Sequence, residues 1–278
     1  MEIVGERSLL FKFRGLVLRY KRRGQMRLKK AALLPVIFLF LSFNILSDGH
    51  EQPTIVPMEH FACVYNPGKD RDDDLRVVKE WNKFIDDSGI NYSSYFLDPY
   101  YTNTDEQYDT HWIGFSTSFE EMGKAQELML SGEGAKIQAK FNKVTSCAEH
   151  DIWGSYTVRA STNDGGGVLN LSSCKLTEGT TTEDLMSADK KMNAFADQAG
   201  NTGGIYRWFP GPGVQLSWTS EYDFLAANTT SSLSQWGAGA DALVNGGGAA
   251  MQASIYGSLM QCEDTRVFLA TQARSPNN

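Results

Sequence analysis

Four histidines, four cysteines and one run of aspartates are the residues of this chain whose types and spacing suit chemistry. His111 adjoins Trp112 in "THWIGFS" and His150 precedes "DIWGSYTV", whereas His50 and His60 have no partner pattern. An imidazole held in a cleft can ligate haem or act as a general base, but a surface or core histidine is the plainer reading of each. Asp70, Asp72 and Asp74 alternate in "DRDDDL" as the first ligands of a calcium loop do, yet Leu75 stands where the loop needs glycine and Trp81 where it needs its closing glutamate. The run reads instead as a solvated helix N-terminus, where carboxylates complement the helix dipole. The cysteines contain no CxxC, and the chain has no GxSxG, HExxH or P-loop spacing; "DGGG", "GPG" and "NGGG" belong to loops. Neither a metal site nor a cofactor is therefore expected, and no residue is assigned a catalytic role.

These residues sit on a duplicated frame. Cys63 to Pro99 and Cys174 to Pro210 align without a gap at an offset of 111 residues, matching Gly68 with Gly179, Asp73 with Asp184, Asn82 with Asn193, Phe84 with Phe195, Gly89 with Gly200 and Tyr95 with Tyr206. In the first copy "HFACVY" reads as a strand beginning after a proline-containing stretch, and "DLRVVKEWNKFIDD" as an amphipathic helix stopped at Gly89. "NYSSYFL" and "THWIGFS" read as strands, Phe119 to Val144 as a helical region broken near "SGEG", and "DIWGSYTV" as the last strand. The second copy supplies "VLNLSSC", a helix with Thr180 and Glu183 in capping-box spacing, "GIYRWF", "VQLSWTS" and "DTRVFLATQ". Trp112 is matched with Trp218, His111 with Ser217, His150 with Thr265, and Cys147 with Cys262.

The order β-α-β-β-α-β is that of a ferredoxin-like unit, so the expected fold is α+β: two tandem ferredoxin-like βαββαβ repeats packed as a pseudo-twofold α/β-barrel. The expected repeats are residues 60–160 and 168–275, joined by "STNDGGG" at 161–167. This arrangement resembles the dimeric α/β-barrel superfamily, and the chain is also similar to duplicated exported bacterial proteins. The resemblance implies two four-stranded sheets packed face to face around a central cleft, with helices outside. Its members include haem-degrading and quinone-forming monooxygenases, isomerases, cyclases and plain binding proteins, so fold alone does not transfer an activity.

In a ferredoxin-like sheet the first and last strands are antiparallel neighbours, which would let Cys63 bridge Cys147 and Cys174 bridge Cys262; four buried free thiols are the alternative. The remaining signal is aromatic: Tyr95, Trp112 and Trp153 stand against Tyr206, Trp218 and Phe268, with Arg207 and Trp208 added. Strand aromatics are more often core than ligand wall. If a site exists, it is expected between the sheets and to be asymmetric, because Asp98, His111 and His150 meet Phe209, Ser217 and Thr265, while Arg207 meets Phe96. Tyr95, Trp112, Arg207 and Trp218 are the candidate ligand contacts.

Charge narrows the partners. Residues 1–30 hold ten Lys/Arg against two Glu, leaving 16 basic and 31 acidic residues in the rest of a chain of net charge −7. Such an acidic body repels phosphate backbones, which argues against nucleic acid. The apolar "AALLPVIFLFLSFNIL" behind that basic flank is short of the ~20 residues of a spanning helix and reads as a secretory signal or uncleaved anchor within residues 1–47. The expectation is an exported, periplasmic or secreted monomer with an internal pseudo-dimer, touching membrane only if that segment stays attached. It is read as a ligand-binding or structural module. The alternative is a cofactor-light monooxygenase, isomerase or cyclase acting on an apolar small molecule.

Overall fold

A computed structural model describes residues 54–162, 165–198 and 200–275. The expected N-terminal signal or anchor and His50 lie outside these residues. The first half runs β1 (Ile55–Tyr65), α1 (Arg71–Ser88), β2 (Tyr92–Tyr101), β3 (Thr110–Ser116), α2 (Phe119–Leu130), α3 (Gly132–Phe141) and β4 (Thr145–Arg159). The second runs β5 (Gly166–Leu176), α4 (Thr182–Gln198), β6 (Ile205–Pro210), α5 (Leu216–Glu221), β7 (Phe224–Thr230), α6 (Leu233–Val244), α7 (Gly248–Tyr256) and β8 (Met260–Arg274).

The eight strands close into one barrel in the order β1-β3-β2-β8-β5-β7-β6-β4, every neighbouring pair antiparallel. The expected α/β-barrel is thus a closed one, in which the strands of the two halves are continuous: β2 pairs with β8 and β4 with β6, so neither half keeps a free edge. Strand direction therefore alternates around the barrel, and β1 and β5 run toward the same end. Met58, Leu97, Ile113, Trp153, Leu169, Trp208, Ala227 and Phe268 fill the interior. The opposite faces of the strands carry the helices.

Local chemistry explains the elements. Asp70 accepts from the backbone N–H of Asp72 and Asp73 to cap α1, and Gly89 closes it at φ 72°. The cap of α4 lies one residue beyond the expected one: Thr181 Oγ1 accepts from Asp184 N at 3.1 Å, and Asp184 Oδ2 accepts from Thr181 N at 2.9 Å. Strand β1 runs straight through Pro57, which pairs with Gly154 of β4 at a position before the β3 ladder begins at Met58. A proline is tolerated where only one side of the strand is paired. "VQLSWTS" is not a strand: it contributes the short helix α5, and "FLAANTT" is β7. By register Ser172 faces Ala226 as Phe61 faces Trp112, so the partner of Trp112 in the second half is Ala226, not Trp218. The expected linker is shorter too, since β5 already begins at Gly166.

Both cystine bridges form, Cys63–Cys147 across β1 and β4 and Cys174–Cys262 across β5 and β8, each between residues directly opposite in register. They close 84- and 88-residue separations toward the same barrel end. Non-reducing peptide mapping should recover these two pairs and no bridge between halves. Replacing Cys174→Ala together with Cys262→Ala should lower unfolding stability by ~2–4 kcal/mol in a denaturant titration.

Candidate functional site

The first half does not pack its helices fully onto its sheet. Between α1, α2, α3 and the outward faces of β1 to β4 lies a cavity of about 110 Å³ whose walls include Trp81, Tyr92, Phe96, Trp112, Met129 and Phe141. Trp112 is the hub of this wall, meeting Trp81 and Phe96 edge-on with ring centroids 5.2 and 5.0 Å apart. Edge-to-face aromatic contacts fix such rings in place and add to their burial energy.

Two carboxyl groups enter this aromatic chamber. Glu59, on the outward face of β1 and only 4% exposed, is met by three groups: Tyr92 Oη at 2.8 Å, Gln126 Nε2 at 2.7 Å and His150 Nε2 at 2.7 Å. Burial, reinforced by the Glu59 charge, pushes the Tyr92 phenol well above its ordinary value, so Tyr92 stays protonated and donates to Glu59 while accepting from Trp112 Nε1 at 3.1 Å. His150 is half-exposed, stacks on Phe61 at 4.0 Å, and its hydrogen bond to Glu59 raises its pKa. Gly114 leaves the space that Tyr92 occupies: a Cβ there would sit 1.6 Å from the phenol oxygen.

The second carboxyl, Asp74, lies at the other side. It belongs to α1 and is 1% exposed, aligned with Val77, Val78 and Trp81 on the buried stripe rather than with the solvated aspartates before it. Burial pushes it up to about 6, against the pull of Arg71. Arg71 itself bonds Asp98 and Thr110 Oγ1 and lies over the Phe96 ring at 3.8 Å. An apolar pocket holding buried carboxyls, one of them the perturbed Asp74, is a typical seat for a ligand.

The second half treats the same layer differently. Arg207, buried on the outward face of β6, donates to Asp189 of α4 at 2.6 Å, and Tyr256 of α7 donates to the same carboxylate at 2.7 Å. Leu185, Ala188 and Phe224 fill the rest. At the position matching Glu59 stands Asn170, and where Phe61 stacks on His150, Ser172 bonds Thr265 at 2.7 Å.

The four residues singled out from sequence are thus not brought together. Trp112 lines the layer cavity and Arg207 is a buried ion-pair partner in the other half, both outside the barrel. Tyr95 faces the interior and lines a second cavity of about 110 Å³ with Tyr206 and Trp208. Trp218 on α5 plugs the barrel end, edge-on to Trp153 at 5.0 Å and donating to Ser173 Oγ. The interior cavity holds tyrosines, a tryptophan and hydroxyls but no carboxyl, so the layer cavity is the richer in chemistry. Glu59, Gln126 and Asp74 were missed by sequence reasoning. The signal for Asp74 was its place three and four residues before Val77 and Val78, on the stripe itself.

Comparison of the sequence with protein-family models and with curated proteins finds no match. Solved structures do match. A protein provisionally named a monooxygenase from Lactobacillus acidophilus NCFM is 8% identical, covering 81% of this chain and 100% of its own, with a TM-score of 0.51. A provisionally named chlorite dismutase is 12% identical over 79% and 96%, TM-score 0.49, and a heme-binding protein from Thermus thermophilus is 7% identical over 79% and 92%, TM-score 0.48. At these identities the likeness is one of fold, and it supports the dimeric α/β-barrel architecture.

Two outcomes check the site. Because folded Asp74 keeps its proton to about pH 6 while the unfolded group releases it near 3.8, its contribution to stability is present below 3.8 and lost as pH rises through about 6. Asp74→Asn should therefore raise unfolding stability by ~1–3 kcal/mol at pH 8, with the gain vanishing toward pH 4. Gly114→Ala should cost ~1–3 kcal/mol by displacing Tyr92, and most of that cost should disappear in the Tyr92→Ala background of a double-mutant cycle.

Proposed function

We propose that the first half binds a small, largely apolar molecule carrying one hydrogen-bond donor, between its helices and its sheet, with Glu59 as the polar anchor. The observation that carries this reading is a buried carboxylate facing an aromatic cavity that the second half has filled. The volume suits a ligand near the size of a single substituted ring, since an apolar cavity of ~150 Å³ accommodates benzene. In this reading the halves are tandem ferredoxin-like repeats that have diverged, and the site is asymmetric, as the sequence leads one to expect, but lies beside the barrel rather than between its sheets.

A second reading makes the protein an isomerase or cyclase acting on that same molecule. It is favoured by one arrangement: Glu59 Oε1 also meets half-exposed His150, so the buried carboxylate is in hydrogen-bonded connection with solvent. Haem, named for one structural relative, does not fit these residues. Each cavity is about 110 Å³, well below the ~300–1,000 Å³ of pockets for larger ligands, the chain has no histidine after His150, and His60 and His111 bond each other at 3.0 Å.

Two disulfides suit an oxidising compartment, in keeping with a periplasmic or secreted protein. Among the described residues no helix is long and apolar enough to cross a membrane.

Thermal-shift and ligand-observed NMR screening with phenols, anilines and small anilides tests the reading. Saturable binding to the parent, weakened at least tenfold in both Glu59→Gln and the cavity-filling Met129→Trp, is expected. No binding to the parent, or binding unchanged in both variants, overturns it.

A further inference from the structure

On the opposite face of β1 from Glu59, the barrel end toward which β1 and β5 run holds a second polar cluster. We propose that His60, Glu149 and Asp151 form a binding site for one divalent first-row transition-metal ion. The inference is independent of the layer cavity and of what binds there.

The three residues come from two neighbouring strands. His60 of β1 lies directly opposite Asp151 of β4, and Ala62, two residues on, lies opposite Glu149. One potential ligand atom from each residue can be chosen so that all lie within 4.8 Å of one another. Two ligands each ~2.1 Å from a common ion stand ~3–4 Å apart, so small side-chain rotations close the set. The site has room because Ala62 offers nothing beyond its Cβ, between His111 on one neighbouring strand and Glu149 on the other.

A β-bulge aims the third ligand. Cys147 and Glu149 are two residues apart and would share a face of a regular strand. The register of β4 against β1 shifts between Ala62 and Cys63, leaving Ala148 as the extra residue. Cys147 consequently lines the outer cavity with its bridge to Cys63, while Glu149 turns inward to the histidine.

What lies behind the ligands is built as a metal's surroundings are. His60 Nε2 and His111 Nδ1 are 3.0 Å apart, His111 Nε2 is 3.3 Å from Glu106 Oε1, and Arg266 donates to Glu106 Oε2 at 3.0 Å. Asp151 accepts from Trp153 Nε1 at 2.6 Å, and Glu149 from Gln215 Nε2 at 2.6 Å. Ligating histidines regularly hand their second ring N–H to such a partner, which fixes tautomer and orientation.

One imidazole and two carboxylates form a nitrogen–oxygen set suited to Zn²⁺, Mn²⁺ or Co²⁺ rather than to thiophilic ions.

Titration of the metal-free full chain with Co²⁺, followed by visible absorption and by equilibrium dialysis, tests the proposal, with Zn²⁺ and EDTA as competitors. Expected are one Co²⁺ per chain, displacement by Zn²⁺, and at least tenfold weaker binding in Glu149→Gln, whose partly exposed side chain makes loss of folding a minor concern. His111→Phe should weaken binding ~10–100-fold while leaving one ion per chain, as loss of an orienting partner does. No Co²⁺ or Zn²⁺ bound at 100-fold excess over the protein, or affinity unchanged in both Glu149→Gln and His60→Ala, overturns it.

Discussion

Each half of this chain ends in sheet edges that it cannot satisfy alone, and the pairing of β2 with β8 and of β4 with β6 resolves both at once. An exposed row of unpaired N–H and C=O groups invites pairing with another chain, and closure is the one arrangement that abolishes edges altogether. Joining the halves on one polypeptide makes that closure intramolecular. It also fixes everything else: with the strands closed, alternate residues must face either a barrel interior shared by both halves or a helical layer private to one. The interior is filled with large apolar groups such as Met58, Trp153, Trp208 and Phe268. Chemistry is left to the layers and to the barrel end.

The two private layers differ accordingly. In the second half Asp189 and Arg207 are nearly fully buried, and Tyr256 supplies a further hydrogen bond to the carboxylate. A buried pair is tolerable when its desolvation is offset by close geometry and such additional bonds. In the first half Glu59 has no Arg or Lys against it among the described residues; its partners are a phenol, an amide and an imidazole. A carboxylate dressed in this way remains able to receive another donor, and the aromatic walls beside it offer apolar surface to the rest of a ligand.

Much of this architecture was legible in the sequence. The gapless offset between Cys63–Pro99 and Cys174–Pro210, together with equivalent cysteines, was enough to give the mixed α and β content and the cystine pairing, because strands one and four of such a unit must be neighbours, although it misplaced the third strand of the second half. The site was less legible, for identifiable reasons. Pro57 reads as a strand breaker, yet it sits where β1 has only one neighbour, so the strand begins at Ile55 and carries Glu59 with it. The aspartate run reads as solvent-facing, yet its last member falls on the apolar stripe of α1. Trp218 matched Trp112 in type and approximate spacing but lies in α5, inserted between β6 and β7, and register alone reveals the mismatch.

Strand β1 carries the consequence of alternation furthest. Consecutive residues Glu59 and His60 point to opposite sides of one sheet, the first into the helical layer and the second into the barrel end. Sliding β1 by one residue against β4 would exchange them, placing a carboxylate among the interior apolar groups and an imidazole beneath α2. The Cys63–Cys147 bridge forbids that slip, because it joins two residues directly opposite in the ladder. It lies immediately beside the bulge that turns Glu149 inward, so it fixes both the register and the bulge. The bridge thus does more than constrain the unfolded chain: it holds the outward carboxylate and the inward histidine on their respective faces. The matching bridge between β5 and β8 pins a strand bearing Asn170 and Leu171 at the corresponding positions, where no comparable pair of polar sites depends on it.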